Sequence, residues 1–273
     1  MRYAITDRIW DVMGPMVQRC KSPLGPAPDL PDRMFFEAVL YWARVGCPWR
    51  DLPGDFGGWS AVYKRLRRWI DSGRLGKLFE AMAAQPACDG TLRVMIDSTI
   101  VRAHQHAAGA AGEDGGSGNA IGRSRGGLST EIIAVATDED GVVAVDVAEG
   151  QRNDAPLALP VLAQAKAALG RLDEVLGDKG FDSDEIRDAC LEEHDALPVI
   201  PNRANRKEPW PWDEVMQETY KQRNRIERAF AKAKQFRRFA TRYEKLRKVF
   251  LGLVCLVFGF IHVKKIALSV NTP

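Results

Sequence analysis

The chain of 273 residues is 45% hydrophobic and 27% charged, with a formal net charge of +3; it can bury a substantial core as one large domain or two unequal ones. Five widely spaced cysteines (Cys20, Cys47, Cys88, Cys190 and Cys255), odd in number and without a CxxC pair, argue against a disulfide framework or a zinc site and for a reducing cytoplasm. The N-terminus carries no signal-peptide pattern. The apolar run at 249–263, 15 residues long, falls short of the roughly 20 that a bilayer needs, so it reads as a buried core helix and no membrane is expected.

Through about residue 85 the pattern is helical. "DRMFFEAVLYWARVG" (32–46) spaces its apolar residues as a helix does and ends on Gly46, a C-cap residue. A Pro/Gly-punctuated connection, "CPWRDLPGDFGG", follows. The next helix, "WSAVYKRLRRWIDSG" (59–73), takes Ser60 as N-cap and stops at Gly73. Its inner face holds Val62, Leu66, Trp69 and Ile70, and its outer face Lys64, Arg65, Arg67 and Arg68. Helix, turn, basic helix is compatible with a helix-turn-helix reader of the major groove; an ordinary solvated helix has the same spacing. Tyr63, Lys64, Arg67 and Arg68 are the candidates for contact with DNA.

"QPACDG" (85–90) marks a boundary, giving an N-terminal helical region at 1–85 and a second domain at 90–273. "LRVMID" (92–97), "LSTEIIAVATD" (128–138) and "GVVAVDVAEG" (141–150) read as three strands in a meander, with "DEDG" turning between the last two. Between the first two lies a glycine-rich stretch at 103–127, read as a flexible loop. A helix at 154–170 with Asp154 near its N-cap and a bend at Pro160 comes next. A strand (173–178), a helix near 182–193, a strand (196–200) and helices complete the chain. The order predicts an α/β fold with a mixed sheet flanked by helices.

Charge is concentrated late in the chain: Arg203 to Lys248 contains fifteen Lys/Arg and six Asp/Glu, which points to a polyanionic partner, nucleic acid first. Read as one helix at about 100° per residue, the segment at 220–239 has three faces. Ile226, Ala229, Phe230, Ala233 and Phe236 form a core face, and Lys221, Arg225, Arg228, Lys232 and Arg238 a basic one. Tyr220, Arg223, Glu227 and Lys234 share a third stripe. Glu227 there is either the i, i+4 partner of Arg223, worth roughly 0.3–0.5 kcal/mol, or a ligand of something positive. Asp97 and Asp178 each close a predicted strand, and ends of strands in open α/β sheets are where sites form. Three carboxylates together repel unless cations neutralise them, and Mg²⁺ or Mn²⁺ suits such oxygen donors. Two such ions about 3.5–4 Å apart can activate an attacking oxygen and stabilise a leaving one. Lys234 and Arg223 would then meet phosphates.

The segment "YKQRNRIERAFAKAK" resembles the Y-x2-R-x3-E-x6-K signature of bacterial insertion-sequence transposases through Tyr220, Arg223, Glu227 and Lys234. "MIDSTIVRAHQHAAGA", "GRSRGGLSTEIIAVATD", "GDKGFDSDEIR", "QFRRFATRYEKL" and the N-terminal "GCPWRDLPGDFGGWSAVYKRLRRW" are similar to segments of the IS5 family of DDE transposases, over about residues 5–262. The resemblance implies an RNase H-like fold and a catalytic triad of Asp97, Asp178 and Glu227. It also implies metal-dependent hydrolysis at the element's terminal inverted repeats, then attack of the freed 3′-hydroxyl on target DNA. Joining two ends implies at least a homodimer in the DNA complex. Phe181 stands where relatives often have tyrosine, and the 48 residues between Asp178 and Glu227 leave no room for a large β-rich insertion. A nuclease without strand transfer and a silent DNA-binding regulator are the rival expectations; strand transfer from pre-cleaved ends separates the first, and metal-dependent nicking the second.

Smaller expectations complete the reading. Asp182 and Asp184 are turn and cap residues rather than ligands. His104 and His106 lack i, i+4 spacing and suit a loop or DNA contact, while Arg102 meets phosphate or solvent. Trp210 and Trp212 pack on the core or stack on an unpaired base. Arg237, Arg238, Arg242, Lys245, Arg247 and Lys248 are expected along the DNA backbone, giving salt-dependent affinity.

Overall fold

A computed structural model describes residues 4–22, 28–84, 90–110, 118–124, 126–137, 141–150 and 154–269. Four helices come first: α1 (Asp7–Cys20), α2 (Asp32–Val45), α3 (Trp59–Asp71) and α4 (Arg74–Ala83). Strands β1 (Arg93–Ala103), β2 (Gly122–Ser124), β3 (Gly127–Thr137) and β4 (Val142–Glu149) follow. Then come α5 (Asp154–Leu169), β5 (Glu174–Leu176), α6 (Asp184–Asp188), β6 (Leu197–Val199), α7 (Glu214–Tyr220) and α8 (Asn224–Ala233). The last elements are α9 (Arg237–Ala240), β7 (Thr241–Arg242) and α10 (Arg247–Ser269). The chain forms two compact units, one of Met1–Ala83, Ala103–Asn119 and Lys232–Pro273, the other of Ala84–Arg102 and Ala120–Ala231.

In the first unit α1, α3 and α4 pack against α10, which buries residues on nearly every side, among them Leu253, Val254, Phe258 and Val263. Close approach depends on missing side chains. A Cβ at Gly259 would fall 3.2 Å from the Met82 Cβ, and one at Gly252 3.1 Å from both Ile70 and Leu75. At 23 residues α10 outruns the apolar run seen in sequence and is long and apolar enough to cross a membrane, yet its apolar window is mostly buried here. Its uniform apolarity is that of a helix surrounded by protein. Helix α2 ends where expected, on Gly46 at φ +79°, whose N–H bonds the Trp42 carbonyl at 3.0 Å. Arg65, expected on the outer face of α3, is buried instead: it pairs with Asp32 and lies over the Phe35 ring at 4.3 Å.

The second unit is a mixed sheet flanked by helices, in the strand order β4-β3-β1-β5-β6, with β2 beside β4 on the same edge of β3. Strands β4, β3 and β1 are antiparallel, while β1, β5 and β6 are parallel. Three antiparallel strands continued by two parallel ones are the RNase H-like order. Helix α5 crosses from β4 to β5 and packs on β3 and β4. Its Ala158, Val161, Leu162 and Ala165 join Val94, Ile96, Ile133, Val135 and Phe181 in one core.

Three local expectations are corrected. Strand β1 does not end at Asp97 but runs to Ala103, because β3 keeps pairing with it as far as Arg102↔Ser129. The stretch at 103–127 is not wholly loop: Gly122–Ser124 forms a strand against β3, whose first residue Gly127 has φ +99°. The segment at 220–239 is not one helix. Helix α7 stops at Tyr220, Lys221–Arg223 tightens into a 3-10 turn, and α8 starts afresh at Asn224. After Ala233 the chain turns through bonds from Gln235 to Lys232 and Phe236 to Ala233 before α9. The "DEDG" turn is 138–141, of which 138–140 lie outside the described residues, as does the Asp154 side chain.

Candidate active site

Asp97 lies mid-strand on β1 opposite Ala134 of β3, but its parallel neighbour β5 has already ended at Met95↔Leu176. It therefore stands just past the end of the parallel half of the sheet. Asp178 stands there too, two residues beyond Leu176. Its carboxylate caps the 3-10 turn Lys179–Phe181 by accepting the Gly180 N–H at 2.7 Å. Gly177 before it is hemmed in by Ile96, Phe181 and Ile200, each within 3.4 Å of where a Cβ would be, so a side chain here would make these neighbours give by a few tenths of an ångström. Glu227, exposed in the first turn of α8, completes the set.

Arg223 joins two of the three acids. Its Nη1 is 3.2 Å from Asp97 Oδ2 and its Nη2 2.6 Å from Glu227 Oε1. The Nη1 contact is one of charge alone, for that buried atom makes no hydrogen bond of good geometry. Burial pushes the Asp97 carboxyl up to about 6; Arg223 and the Ser98 N–H pull it down, and the charges of Asp178 and Glu227 add to the rise. Burial opposes the charge of Arg223, but Asp97, Tyr220, Glu227 and Asp178 outweigh it and hold the guanidinium above its ordinary value. Thus Asp97 feels both other acids, from Asp178 on β5's end and Glu227 on α8.

The donor set, three hard carboxylate oxygen groups that repel one another, has the chemistry Mg²⁺ or Mn²⁺ favours. Yet among the described residues no three His, Cys, Asp or Glu side chains stand ready-made around one point. The Arg223 guanidinium instead places positive charge beside both Asp97 and Glu227.

The remaining candidates divide by burial. Tyr220 is half-buried, edge-on to Trp212 at 5.6 Å. Lys234 and Arg237 are exposed, as are Lys64, Arg68 and Arg102, while Arg67 is half-buried and 3.3 Å from Asp71. Arg238 and Arg242, expected along the DNA backbone, are not surface cations. Arg238 pairs with the buried Glu244 at 2.8 Å and lies 4.2 Å over Trp42. Arg242 is fully buried, donates to the Glu244 carbonyl at 2.8 Å, and is pushed down to about 10 by burial. Glu244 had a signal: it is the single acid between Arg237 and Lys248. Asp182 is structural as expected, holding Arg187 at 2.9 Å and Arg206 at 2.7 Å, and Asp184 pairs with Arg206. Trp210 lies under the Arg187 guanidinium at 5.3 Å. His104 stacks on Tyr243 at 4.8 Å, beside His106.

Two family models match this chain. One, described as "Putative transposase of IS4/5 family (DUF4096)", covers residues 5–79, and the other, "Transposase DDE domain", covers residues 89–258. Protein y4sN of Sinorhizobium fredii, an uncharacterized protein, is 45% identical over 96 residues, 35% of this chain and 73% of its own length. An uncharacterized 16.2 kDa protein of insertion element IS402 from Burkholderia cepacia is 30% identical over 109 residues, 36% of this chain and 73% of its own length. Among solved structures, the Mos1 mariner paired end complex with Mn aligns over 93% of this chain and 82% of its own at 13% identity; its TM-score of 0.29 is too low to bear on fold or function. The DDE model spans most of the sheet unit and all three acids, and the N-terminal helices match the IS4/5 model: the chain belongs to the IS4/5 family of DDE transposases.

Proposed function

We propose that this DDE transposase binds the terminal inverted repeats of its insertion sequence, cleaves DNA strands there by Mg²⁺- or Mn²⁺-dependent hydrolysis, and joins the 3′-hydroxyl ends to target DNA. The observation that carries this reading is Asp97: a carboxyl held near 6 by burial and by the charges of Asp178 and Glu227, at the end of a parallel strand pair. Asp97, Asp178 and Glu227 would hold the ions, two in number. Bound there, divalent cations supply activation of the attacking oxygen and stabilisation of the leaving one.

The chain's own residues do the rest. Asp97 is fixed by β1, and Asp178 is oriented by the Gly180 N–H. Glu227 is over half exposed on α8, so it can turn toward the other two acids. Arg223 then offers its guanidinium to phosphate oxygens, bidentately where geometry allows; Tyr220 at the end of α7 and exposed Lys234 just past α8 are further DNA contacts. Lys64, Arg67, Arg68 and Arg237 contact the duplex backbone. DNA is the partner, a homodimer or higher oligomer the working state in the DNA complex, and the bacterial cytoplasm the setting, with no membrane role for α10.

The test is nicking of a plasmid carrying the element's ends. Wild-type protein should nick with Mn²⁺ or Mg²⁺ and not in chelator. Asp97→Asn, Asp178→Asn and Glu227→Gln should each fall to the chelator level while still binding end DNA. If Glu227→Gln nicks like wild type, the assignment of the third acid is wrong.

A further inference from the structure

Within the first unit, two concavities open side by side. One, of about 800 Å³, is lined by Gly58, Ser60, Tyr63, Lys64, Arg67 and Arg68. The other, of about 830 Å³, has aromatic walls: Trp42, Trp49, Tyr63, His106 and Tyr243, with Lys245 at its edge. Tyr63 belongs to both. It is 38% exposed and meets Trp49 edge-on at 5.6 Å, and Trp49 in turn lies flat on Trp42 at 4.1 Å. Across the chamber Tyr243 is 37% exposed and backed by His104. Two donors of the lining, Trp42 Nε1 and Arg238 Nε, are buried without a hydrogen-bond partner among the described residues. Native proteins rarely leave such groups unpaired, and each that is needs an explanation.

Resting on the reading that DNA is the partner, we propose that this chamber takes an unpaired nucleobase whose flanking phosphates lie on the Lys64–Arg67–Arg68 groove. The lining decides the class of occupant. An apolar protein helix asks for a broad aliphatic floor; the described lining offers Leu246 and Val249 with the smaller Pro48 and Ala110. Among the described residues the one acid in the lining, Glu244, is already engaged by Arg238. Trp42 is buried between Trp49 and the Arg238 guanidinium, and Tyr243 is stacked on His104 and approached by Arg238, so the ring surface left open belongs to Tyr63, half-buried Trp49 and part of Tyr243. Such surface beside cations suits a planar π-system attached to phosphate. Bases within a duplex hide their faces, so the ligand is a base out of its stack. Tyr63 marks where the strand would pass from the cationic groove into the chamber.

The experiment uses the full-length protein and two fluorescein-labelled probes, oligothymidylate of about 16 nucleotides and a duplex of equal length. Trp49→Ala and Tyr243→Ala should each weaken single-strand binding about tenfold, with Trp49→Phe restoring most of it. Duplex affinity should stay within about twofold of wild type. Independently of any variant, a 2-aminopurine placed in the single strand should lose fluorescence on binding wild-type protein. Three results overturn the inference: undiminished single-strand binding, equal loss on both probes, or 2-aminopurine emission that does not change. The first and third leave the DNA reading intact; wild-type protein that binds neither probe removes both. Equal loss on both probes, with the fold intact, would mark the chamber as part of the duplex grip.

Discussion

Arg223 carries more of the site than its spacing suggests. Its pairing with Glu227 four residues on was legible from the wheel, because both lie on a short stretch of helical turns. Its reach to Asp97 was not, since no local pattern reports that β1 and the approach to α8 meet. The burial it shares with Asp97 has a measurable consequence. The native Asp97 carboxyl sits near 6, above the value of about 3.9 in an unfolded chain. Between those values the native state holds a proton that the unfolded state has released. Stability contributed by this group therefore falls as pH rises through the window, and the deficit is complete above about 6. Asp97→Asn should raise the stability of metal-free protein by up to about 3 kcal/mol at pH 7.5 and by little at pH 4. Urea midpoints in chelator at the two pH values check this, and a gain independent of pH would contradict it. The Arg238–Glu244 pair gives the opposite case. Glu244→Ala leaves a buried guanidinium without its carboxylate and should destabilise by about 3–5 kcal/mol in urea unfolding.

Elements with a clear period were legible, and those whose limits depend on distant neighbours were not. Helix α2 showed its apolar spacing and its Gly46 stop, and β3 and β4 their β-rich runs, as the structure has them. The far half of β1 was hidden because a strand's length is set by what pairs with it; "STIVRA" has no strand-specific punctuation, and β3 extends it. The break between α7 and α8 was hidden for the converse reason: "KQR" holds no Gly or Pro, yet the backbone tightens there. Both errors bear on the site. Asp97 was placed at a strand end when it lies at the end of only the parallel pairing, and Arg223 was placed on a continuous helix when it sits in the turn before α8. The expectation of the three acids does not hang on these boundaries, because residue type survives such errors. Arg238 and Arg242 were misread because charge in a run says nothing of depth; only the fold shows that Glu244, Trp42 and Phe250 enclose them.

At the scale of the whole chain, composition left one large domain or two unequal ones open; the chain forms two compact units, one division falling after Ala83. The other divisions had no compositional mark. The expected span of 90–273 gives its last forty or so residues, Lys232 onward, to the unit that also holds α1–α4, because α10 is apolar all round and finds its cover there. Gly259 allows that cover. Gly259→Val should push α10 off Met82 and destabilise the protein by about 1–3 kcal/mol, read as a lower urea midpoint, whereas the same change at Gly54, which nothing crowds, should have a far smaller effect.

Order of synthesis then takes on physical meaning. The ribosome releases α1, α3 and α4 long before α10 exists, so their oily surfaces wait uncovered while the entire sheet is made. A chain interrupted between Glu227 and Arg247 would hold all three candidate acids and still lack α10, the rod on which its first helices close. Prematurely terminated products should therefore be sticky and short-lived, leaving complete chains as the main source of working enzyme.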